Sequence, residues 1–368
     1  MPIVFDNTEL IENLVCDNIS ISKLDWDNHE TSWDFQTNKL VTLAATYRDT
    51  HPEMEDFVPH TDDDFNLMAY CYQQYVQHWT ELFYQLHTNE ETLNKQFIEI
   101  YGLQDELTPD VPLNEVTILQ QGEITIENDQ LVFHSDVIMK QFLSYLVGLS
   151  FGRYRLDKPG LHIAHPKPTK DEIAPYTYRG VEVSIAPEAM IPMLPEGAPY
   201  SDNLQNRIMK LCAAIFGPNQ RDSAIRFIQD QLGKSLEDYL AKDFWRDHKK
   251  MYKNRPIYWL FASEKGYFRC LTYMHRMNEF TAHKIYREYV TTYAGHLRSH
   301  NLSIQNKPGE LTARDRKIMQ QNDRAIADCD KYSFRLLAVA EDLDRTRFDL
   351  DDGFVHNYQK YGDIVAKV

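Results

Sequence analysis

The chain has 368 residues, 43% of them hydrophobic and 12% aromatic, so it is long and apolar enough for two or three folded domains. No apolar run approaches the roughly 18 residues of a membrane helix, and the N-terminus does not resemble a signal peptide. Five scattered cysteines without a Cys-x-x-Cys pair argue against a zinc ribbon and a disulfide scaffold. The sequence predicts a cytoplasmic protein with reduced cysteines.

The net charge of −16 conceals two regions of opposite sign. Residues 1–130 contain 26 acidic and 4 basic residues, a charge of −22, whereas residues 131–368 carry +6. This asymmetry indicates a polyelectrolyte partner for the rear alone, since an acidic front repels DNA. The simpler interpretation of the front is that acidic helices keep it in solution.

Two helices are predicted in the acidic front. Apolar residues recur at helical spacing from Phe65 to Leu86, and Thr61 is expected to cap this helix with Asp62–Asp64 in its first turn. A metal site is the weaker interpretation of these aspartates. A capping box at Thr88–Glu91 predicts the start of a second helix, which Gly102 ends.

The middle of the chain changes pattern. Short apolar runs between Val116 and Phe133, divided by Gly122 and Asn128–Asp129, predict a small antiparallel sheet. Asp136 is expected to cap an apolar helix that follows, which reaches Leu149. The proline-rich residues 156–203 predict irregular structure with short strands, such as Val181–Ile185.

Helices resume in the rear, near Asn203 and Asp222, and Ser235 begins a helix that extends to about Tyr252. Arg255–Pro256 is expected to end this helix. A hairpin with strands at 257–261 and 267–274 follows, and two long helices are predicted at 281–300 and 311–347. The predicted fold class is α+β and predominantly helical, with a small antiparallel sheet or hairpins. Three regions are expected: an acidic helical region with a small sheet at its end (1–135), a mixed α/β region (136–262), and a hairpin with long helices (263–368).

The segment 242–261 interleaves basic and aromatic residues. Such a surface neutralises phosphates while planar groups pack on sugars or bases. The alternative, which composition alone leaves equally open, is a solvated basic helix face over buried aromatics. The candidate DNA-binding residues here are Arg246, Lys249, Lys250, Lys253, Arg255, Tyr258 and Trp259, followed by Arg269. Tyr258 and Trp259 are the weaker candidates, because aromatic residues in a strand often belong to the core.

Arg153 and Arg155 form a second candidate group, after Gly148 and Gly152. The glycines allow a tight turn and the arginines are expected to bind phosphate there, but the Gly-Lys-Ser/Thr ending of a nucleotide-binding loop is missing. His162 and His165 are the nearest approach to a metal pair, without a partner acid in the pattern.

Catalytic motifs for methyl transfer to adenine are missing from the sequence. Such transfer needs an Asn/Asp-Pro-Pro-Tyr/Phe element to hold the exocyclic amine and stack on the flipped base, and no Asn-Pro dipeptide occurs. A glycine-rich turn for S-adenosylmethionine is also missing. The chain alone is therefore not expected to be an enzyme.

Five segments, in this order, resemble the C-terminal portion of PglX, the adenine-specific methyltransferase of BREX phage-defence systems. They are Ile19–Phe35, Phe97–Leu107, Ser144–Tyr154, His248–Phe261 and Phe348–Tyr358. The resemblance implies a helical spacer and a region that selects the DNA sequence to be methylated. It also implies double-stranded DNA and BREX subunits as partners, no membrane association, and S-adenosylmethionine bound only by a catalytic domain upstream of these segments. A protein-interaction scaffold that docks a methyltransferase domain, without DNA contact, is the alternative function.

Overall fold

The computed structural model describes residues 7–59, 64–195 and 197–368. The chain forms two compact units, one comprising Met1–Tyr145 with Ile215–Gly233 and the other Leu146–Ala214 with Lys234–Val368. The first carries a formal charge of −22 and the second +6, so we call them the acidic unit and the basic unit. This division differs from the three regions predicted from the sequence, because residues 215–233 join the acidic unit and the boundary at 262/263 falls inside a hairpin.

Helices dominate the acidic unit. They are α1 (Thr8–Asp27), α2 (Lys39–Thr50), α3 (Leu67–Tyr101) and α6 (Arg221–Leu232). The apolar stripe predicted for α3 is confirmed as its buried face, with Met68, Tyr75, Trp79, Phe83 and Leu86 each at most 3% exposed. The predicted start was wrong: Asn66 caps α3 by accepting hydrogen bonds from the backbone N–H groups of Met68 and Ala69. Thr61, Asp62 and Asp63 lie outside the described residues.

The break predicted at Thr88 was also wrong, because α3 runs through it as one helix of 35 residues. Glu91 does not cap a new helix; its carboxylate accepts a hydrogen bond from the Val111 backbone N–H. The buried face continues from Leu86 to Ile98, and burial of that face outweighs the local capping signal. Gly102, with φ 65°, ends the helix as predicted.

The predicted small sheet is reduced to one hairpin, β1 (Ile124–Glu127) with β2 (Gln130–Phe133). Asn128 and Asp129 connect the strands with φ values of 51° and 57°, the left-handed pair that a two-residue hairpin turn requires. The run Val116–Leu119, expected as a strand, is instead irregular, although Val116, Ile118 and Leu119 are buried. Burial explains the apolar run without strand pairing.

A buried ion pair joins the residue before this hairpin to the turn that follows α1. Nε2 of His29 lies 2.7 Å from Oε1 of Glu123, which is fully buried and also accepts a hydrogen bond from the Gln141 side chain. Burial alone would lower the pKa of His29 and raise that of Glu123, but their mutual hydrogen bond and charge reverse both shifts. The Asp25 carboxylate accepts the N–H of Leu119, a residue with φ 59°.

The basic unit has a three-stranded antiparallel sheet at its centre. The order is β5 (Met190–Pro192), β7 (Arg269–Tyr273) and β6 (Tyr258–Ala262), which confirms the predicted hairpin. A smaller hairpin pairs β3 (Tyr176–Tyr178) with β4 (Val181–Val183). The α4 helix (Ser135–Phe151) and the α5 helix (Leu204–Phe216) each contribute residues to both units.

The last helices pack on the sheet through a largely aromatic core. They are α9 (Thr281–Lys284) continued by a π-helical segment (Ile285–Val290), α10 (Thr291–Gln305), α11 (Ala313–Ala340), α12 (Leu343–Thr346) and α13 (Gly353–Lys360). Trp259, Phe268, Tyr332 and Tyr361 lie in this core. The α+β, mostly helical fold predicted from the sequence is confirmed. No helix in the described part of the chain is long and apolar enough to cross a membrane.

We expect Glu123→Gln to lower the free energy of unfolding by about 3 kcal/mol, because it leaves a buried histidine without its counter-charge. Urea denaturation followed by circular dichroism measures this change. Glu127→Gln, at the exposed last residue of β1, is the matched control and should change stability by less than about 0.5 kcal/mol. Equal effects of the two substitutions would contradict the role of the pair.

The same pair predicts a stability optimum in mildly acidic solution. The lowered pKa of Glu123 gives a contribution that is complete above its ordinary value of 4.5 and lost as the pH falls. The raised pKa of His29 gives one that is complete below 6.5 and lost as the pH rises through the folded-state value. The stability difference between the wild type and Glu123→Gln should therefore be largest between pH 4.5 and 6.5.

Candidate nucleic-acid interface

A helical segment from Leu236 to Met251 carries three of the ten predicted DNA-binding residues, Arg246, Lys249 and Lys250. It consists of α7 (Leu236–Asp238), a π-helical turn (Tyr239–Asp243) and α8 (Phe244–Met251). The Ser235 side chain caps it by accepting the Asp238 N–H, as predicted. The buried residues Phe244 and His248 fix its inner face, so the basic residues between them point outward.

Several bases at the start of this segment are neutralised by neighbouring acids. Lys242 pairs with Asp238, while Arg246 contacts Asp243 at 2.9 Å and Asp247 at 3.2 Å. Lys234 also contacts Asp243, at 2.6 Å. Arg246 is two-thirds exposed, so its pairs are weak and a phosphate can replace them at little cost.

The bases in the last turn of this segment and in the turn that follows it differ in their partners. Lys250, Lys253 and Arg255 are all exposed, and no ion pair found among the described residues includes them. Lys253 and Asn254 have φ values of 50° and 60°, a conformation that residues with a Cβ rarely adopt. Strained, exposed and unpaired basic residues in one short turn are typical of a binding surface.

Lys249 lies between these two groups. Its ammonium group is 4.3 Å from the centre of the Trp245 ring and donates a hydrogen bond to the carbonyl of Lys367 at 3.1 Å. Trp245 thus holds Lys249 in place through a cation–π contact.

Tyr258 and Trp259 do not reach the surface. Both are fully buried, which corrects their prediction as DNA-contacting residues. Tyr258 stacks on His248 at 4.6 Å between ring centres, and the Trp259 indole N–H donates to the Pro256 carbonyl. Both are core residues of β6. The sequence had already marked them as the weaker candidates, because aromatic residues in a strand often belong to the core.

The second candidate group is also structural. Arg155 is buried, makes two hydrogen bonds with Asp157 and lies 4.0 Å from the Tyr176 ring centre, so its guanidinium is not available to phosphate. Arg153 is half-buried and donates to the Tyr252 hydroxyl at 2.6 Å. Gly148 is required because a Cβ there would approach Tyr154 to 2.7 Å. These glycines and arginines pack the turn and do not form a phosphate loop.

A groove brings three of the predicted residues together with two that the prediction omitted. Arg246, Lys249 and Arg269 line it with Lys242 and Lys265, in a volume of about 430 Å³. We call it the basic groove. Lys242, Arg246 and Lys249 follow each other at helical spacing, a signal that was present in the sequence. Lys265 could not be placed from the sequence, because it reaches the groove from the β6–β7 turn.

Two histidines of the basic unit have strongly lowered pKa values, the buried His248 and the partly buried His275. Nε2 of His248 accepts the backbone N–H of Tyr258 at 3.1 Å, so the proton of this neutral ring is on Nδ1. Burial and the nearby charge of Arg153 lower the pKa of His248 well below its ordinary value and that of His275 to about 4. His162 and His165 instead contact Glu172, and no group of three metal ligands occurs among the described residues.

The sequence of the chain is similar to two adenine-specific methyltransferases. The chain is 30% identical over its whole length to the adenine-specific methyltransferase BrxX of Escherichia coli O9:H4 (strain HS), of which it covers 30%. It is 28% identical over 96% of its length to the adenine-specific methyltransferase PglX of Lacticaseibacillus casei (strain Zhang), of which it covers 27%. The resemblance to PglX is confirmed. The chain spans less than a third of the length of these BrxX and PglX relatives, and no family model matches it.

Lys253→Gly should stabilise the protein by about 0.5 kcal/mol, because glycine adopts a positive φ without strain. Lys250→Gly is the matched control: it lies in the last turn of α8 and should destabilise by about 0.5–1 kcal/mol. Urea denaturation of both variants checks these signs, and destabilisation by both would contradict strain at Lys253.

His275 should make the basic unit sensitive to acid. Because its pKa in the folded state is about 4, below the ordinary 6.5, its contribution to stability is complete above pH 6.5 and is lost as the pH falls towards 4. We expect His275→Phe to reduce the loss of unfolding free energy between pH 7 and pH 5. The control His283→Phe, at an exposed position on α9, should leave that loss unchanged; identical pH profiles for both variants would refute the role of His275.

Proposed function

We propose that this chain is the non-catalytic DNA target-recognition part of a BREX-type adenine-specific DNA methyltransferase. In this function the basic unit binds double-stranded DNA and helps to select the sequence that is methylated for phage defence. The observation that carries the proposal is the exposed, unpaired basic turn formed by Lys250, Lys253 and Arg255, next to the basic groove.

The separation of charge supports a contact through the basic unit. Its +6 attracts a phosphate backbone, whereas the −22 of the acidic unit repels it. Exposed cations without acid partners bind phosphate more readily than paired ones, because no existing contact must be broken. Lys250, Lys253, Arg255 and Lys249 are therefore the principal phosphate contacts, with Arg246 and Arg269 beside them in the groove.

Catalysis, in this proposal, belongs to another segment or subunit. The chain has no Asn-Pro-Pro-Tyr element to hold an adenine, so S-adenosylmethionine and the flipped base bind to a methyltransferase domain outside this sequence. The partners are double-stranded DNA, that methyltransferase domain and other BREX subunits.

We expect the full chain to bind duplex DNA with an affinity that falls steeply with salt. The logarithm of the binding constant should fall linearly with the logarithm of salt concentration, with a slope near −0.9 for each phosphate contact. Lys250→Glu with Lys253→Glu should make the slope shallower by about 2. Fluorescence anisotropy with a labelled duplex measures this slope.

Lys317→Glu with Lys331→Glu is the control for that titration. Both residues are exposed on α11, so this variant has the same net charge without altering the basic turn. An equal change of slope in the two double variants would refute the assignment of the turn, and no duplex binding at low salt would refute DNA recognition by this chain. Methyl transfer by the chain alone would refute its non-catalytic role.

A second candidate function is a protein-interaction scaffold, which exposed apolar residues of the acidic unit favour. Trp33 is 99% exposed, and Trp26 and Ile19 are each more than 60% exposed. Exposed tryptophans of this kind are typical of protein interfaces. The occupant would be the methyltransferase domain, and Trp26→Ser with Trp33→Ser should then weaken the binding of that domain but leave the DNA salt slope unchanged.

A further inference from the structure

The basic groove continues into a second cavity in the basic unit. This cavity, of about 280 Å³, shares Met193, Lys242, Gly266 and Arg269 with the basic groove, so the two form one depression. We call it the apolar pocket. Its volume and that of the groove together fall within the range of roughly 300–1,000 Å³ that small-molecule sites occupy.

The two ends of this depression have different chemistry. The apolar pocket is lined mainly by prolines and aliphatic side chains, among them Leu204 and Leu240, together with the ring of Tyr267. Three polar side chains also line it: Asn203, Gln205 and Glu237. The basic groove presents five cationic side chains, of which Lys242 and Arg246 have acid partners at exposed positions, and its acid, Glu264, pairs with Arg335 at 2.9 Å. A ligand that fills both ends must have an apolar, planar or compact body attached to an anionic group.

Arg269 lies where the two ends meet. It is half-buried, and within the described residues its guanidinium has neither a carboxylate nor a hydrogen-bond acceptor. A Cβ at Gly266 would come within 3.3 Å of Nη2 of Arg269, so the glycine leaves room for the guanidinium. A partly buried charge without a partner is costly, and an incoming anion removes that cost.

We propose that this depression binds one unstacked nucleotide, with its phosphate on Arg269 and Lys242 and its base in the apolar pocket against Tyr267. An aromatic ring supplies stacking to any base, and arginine suits the two-pronged binding of a phosphate. The nucleotide is either extruded from DNA bound to the basic turn, which rests on the proposed function, or a free mononucleotide. The chemistry of recognition is the same for both sources.

Two duplexes test the DNA source. One is a fully paired, fluorescein-labelled duplex, and the other is the same duplex with one unpaired nucleotide, whose extrusion costs little. We expect the wild-type chain to bind the second duplex about tenfold more tightly, since stacking of one base is worth about 1–3 kcal/mol. Saturation-transfer NMR with millimolar dTMP tests binding of the free nucleotide.

Variants assign these effects to the depression. Arg269→Gln and the rim variant Lys242→Gln should each reduce the preference for the unpaired nucleotide to less than about twofold and weaken the dTMP signal. Arg287→Gln, an exposed arginine of the same unit that does not line the depression, should change neither measurement. Because Lys242 is exposed, its substitution tests the site even if Arg269→Gln fails to fold.

The outcomes separate this site from the proposed function. Equal binding of both duplexes together with no dTMP signal would overturn the nucleotide site but leave duplex recognition intact. Binding of dTMP that depends on Arg269, without binding of any duplex, would establish the site and refute DNA recognition. An unchanged preference in both groove variants would also overturn the proposal.

Discussion

The backbone N–H of Tyr258 donates a hydrogen bond to Nε2 of the buried His248, and this contact joins the last turn of α8 to the first residue of β6. The chain between the two residues must therefore turn back within nine positions. It does so with Lys253 and Asn254 in the left-handed region and Pro256 buried at the end of the turn. The exposure of Lys253 and Arg255 follows from this geometry, because the inner side of the turn is occupied by the stacked rings of His248 and Tyr258.

The exposure of the basic turn therefore depends on the protonation state of the buried His248. His248 can accept the Tyr258 N–H only while Nε2 has no proton, and burial keeps the ring neutral. Protonation at low pH removes that acceptor at the base of the turn. The stability of the acidic unit changes with pH in the opposite direction, because its buried His29 is stabilised as a cation by Glu123. Around neutral pH, a rise in pH therefore favours the histidine contacts of the basic unit and weakens the His29–Glu123 pair of the acidic unit.

Elements whose signals are local were predictable from the sequence, and elements that depend on burial were predictable only in part. Asn128–Asp129 specified a hairpin turn, and the stripe of α3 specified its buried face, because both depend on intrinsic conformation or periodicity. The capping box at Thr88 failed, since the stability of α3 comes from packing along its whole length. The basic groove shows the same limit: the spacing of Lys242, Arg246 and Lys249 was visible, but Lys265 and Arg269 reach it through tertiary structure.

Counts of basic residues overstate the charge that is available to an anionic partner, because some arginines are part of the core. Arg276 is buried and donates to the carbonyls of Phe151, Ala186 and Pro187, and Arg155 is held by Asp157. Removing either would destabilise the fold through unsatisfied acceptors or an unpaired acid. Lys250, Lys253 and Arg255 have no such partners among the described residues, so their charge contributes little to folding. Under the proposed function, substitutions at these positions are therefore expected to weaken DNA binding without loss of stability, and the presence or absence of a partner distinguishes the proposed binding cations from the structural ones.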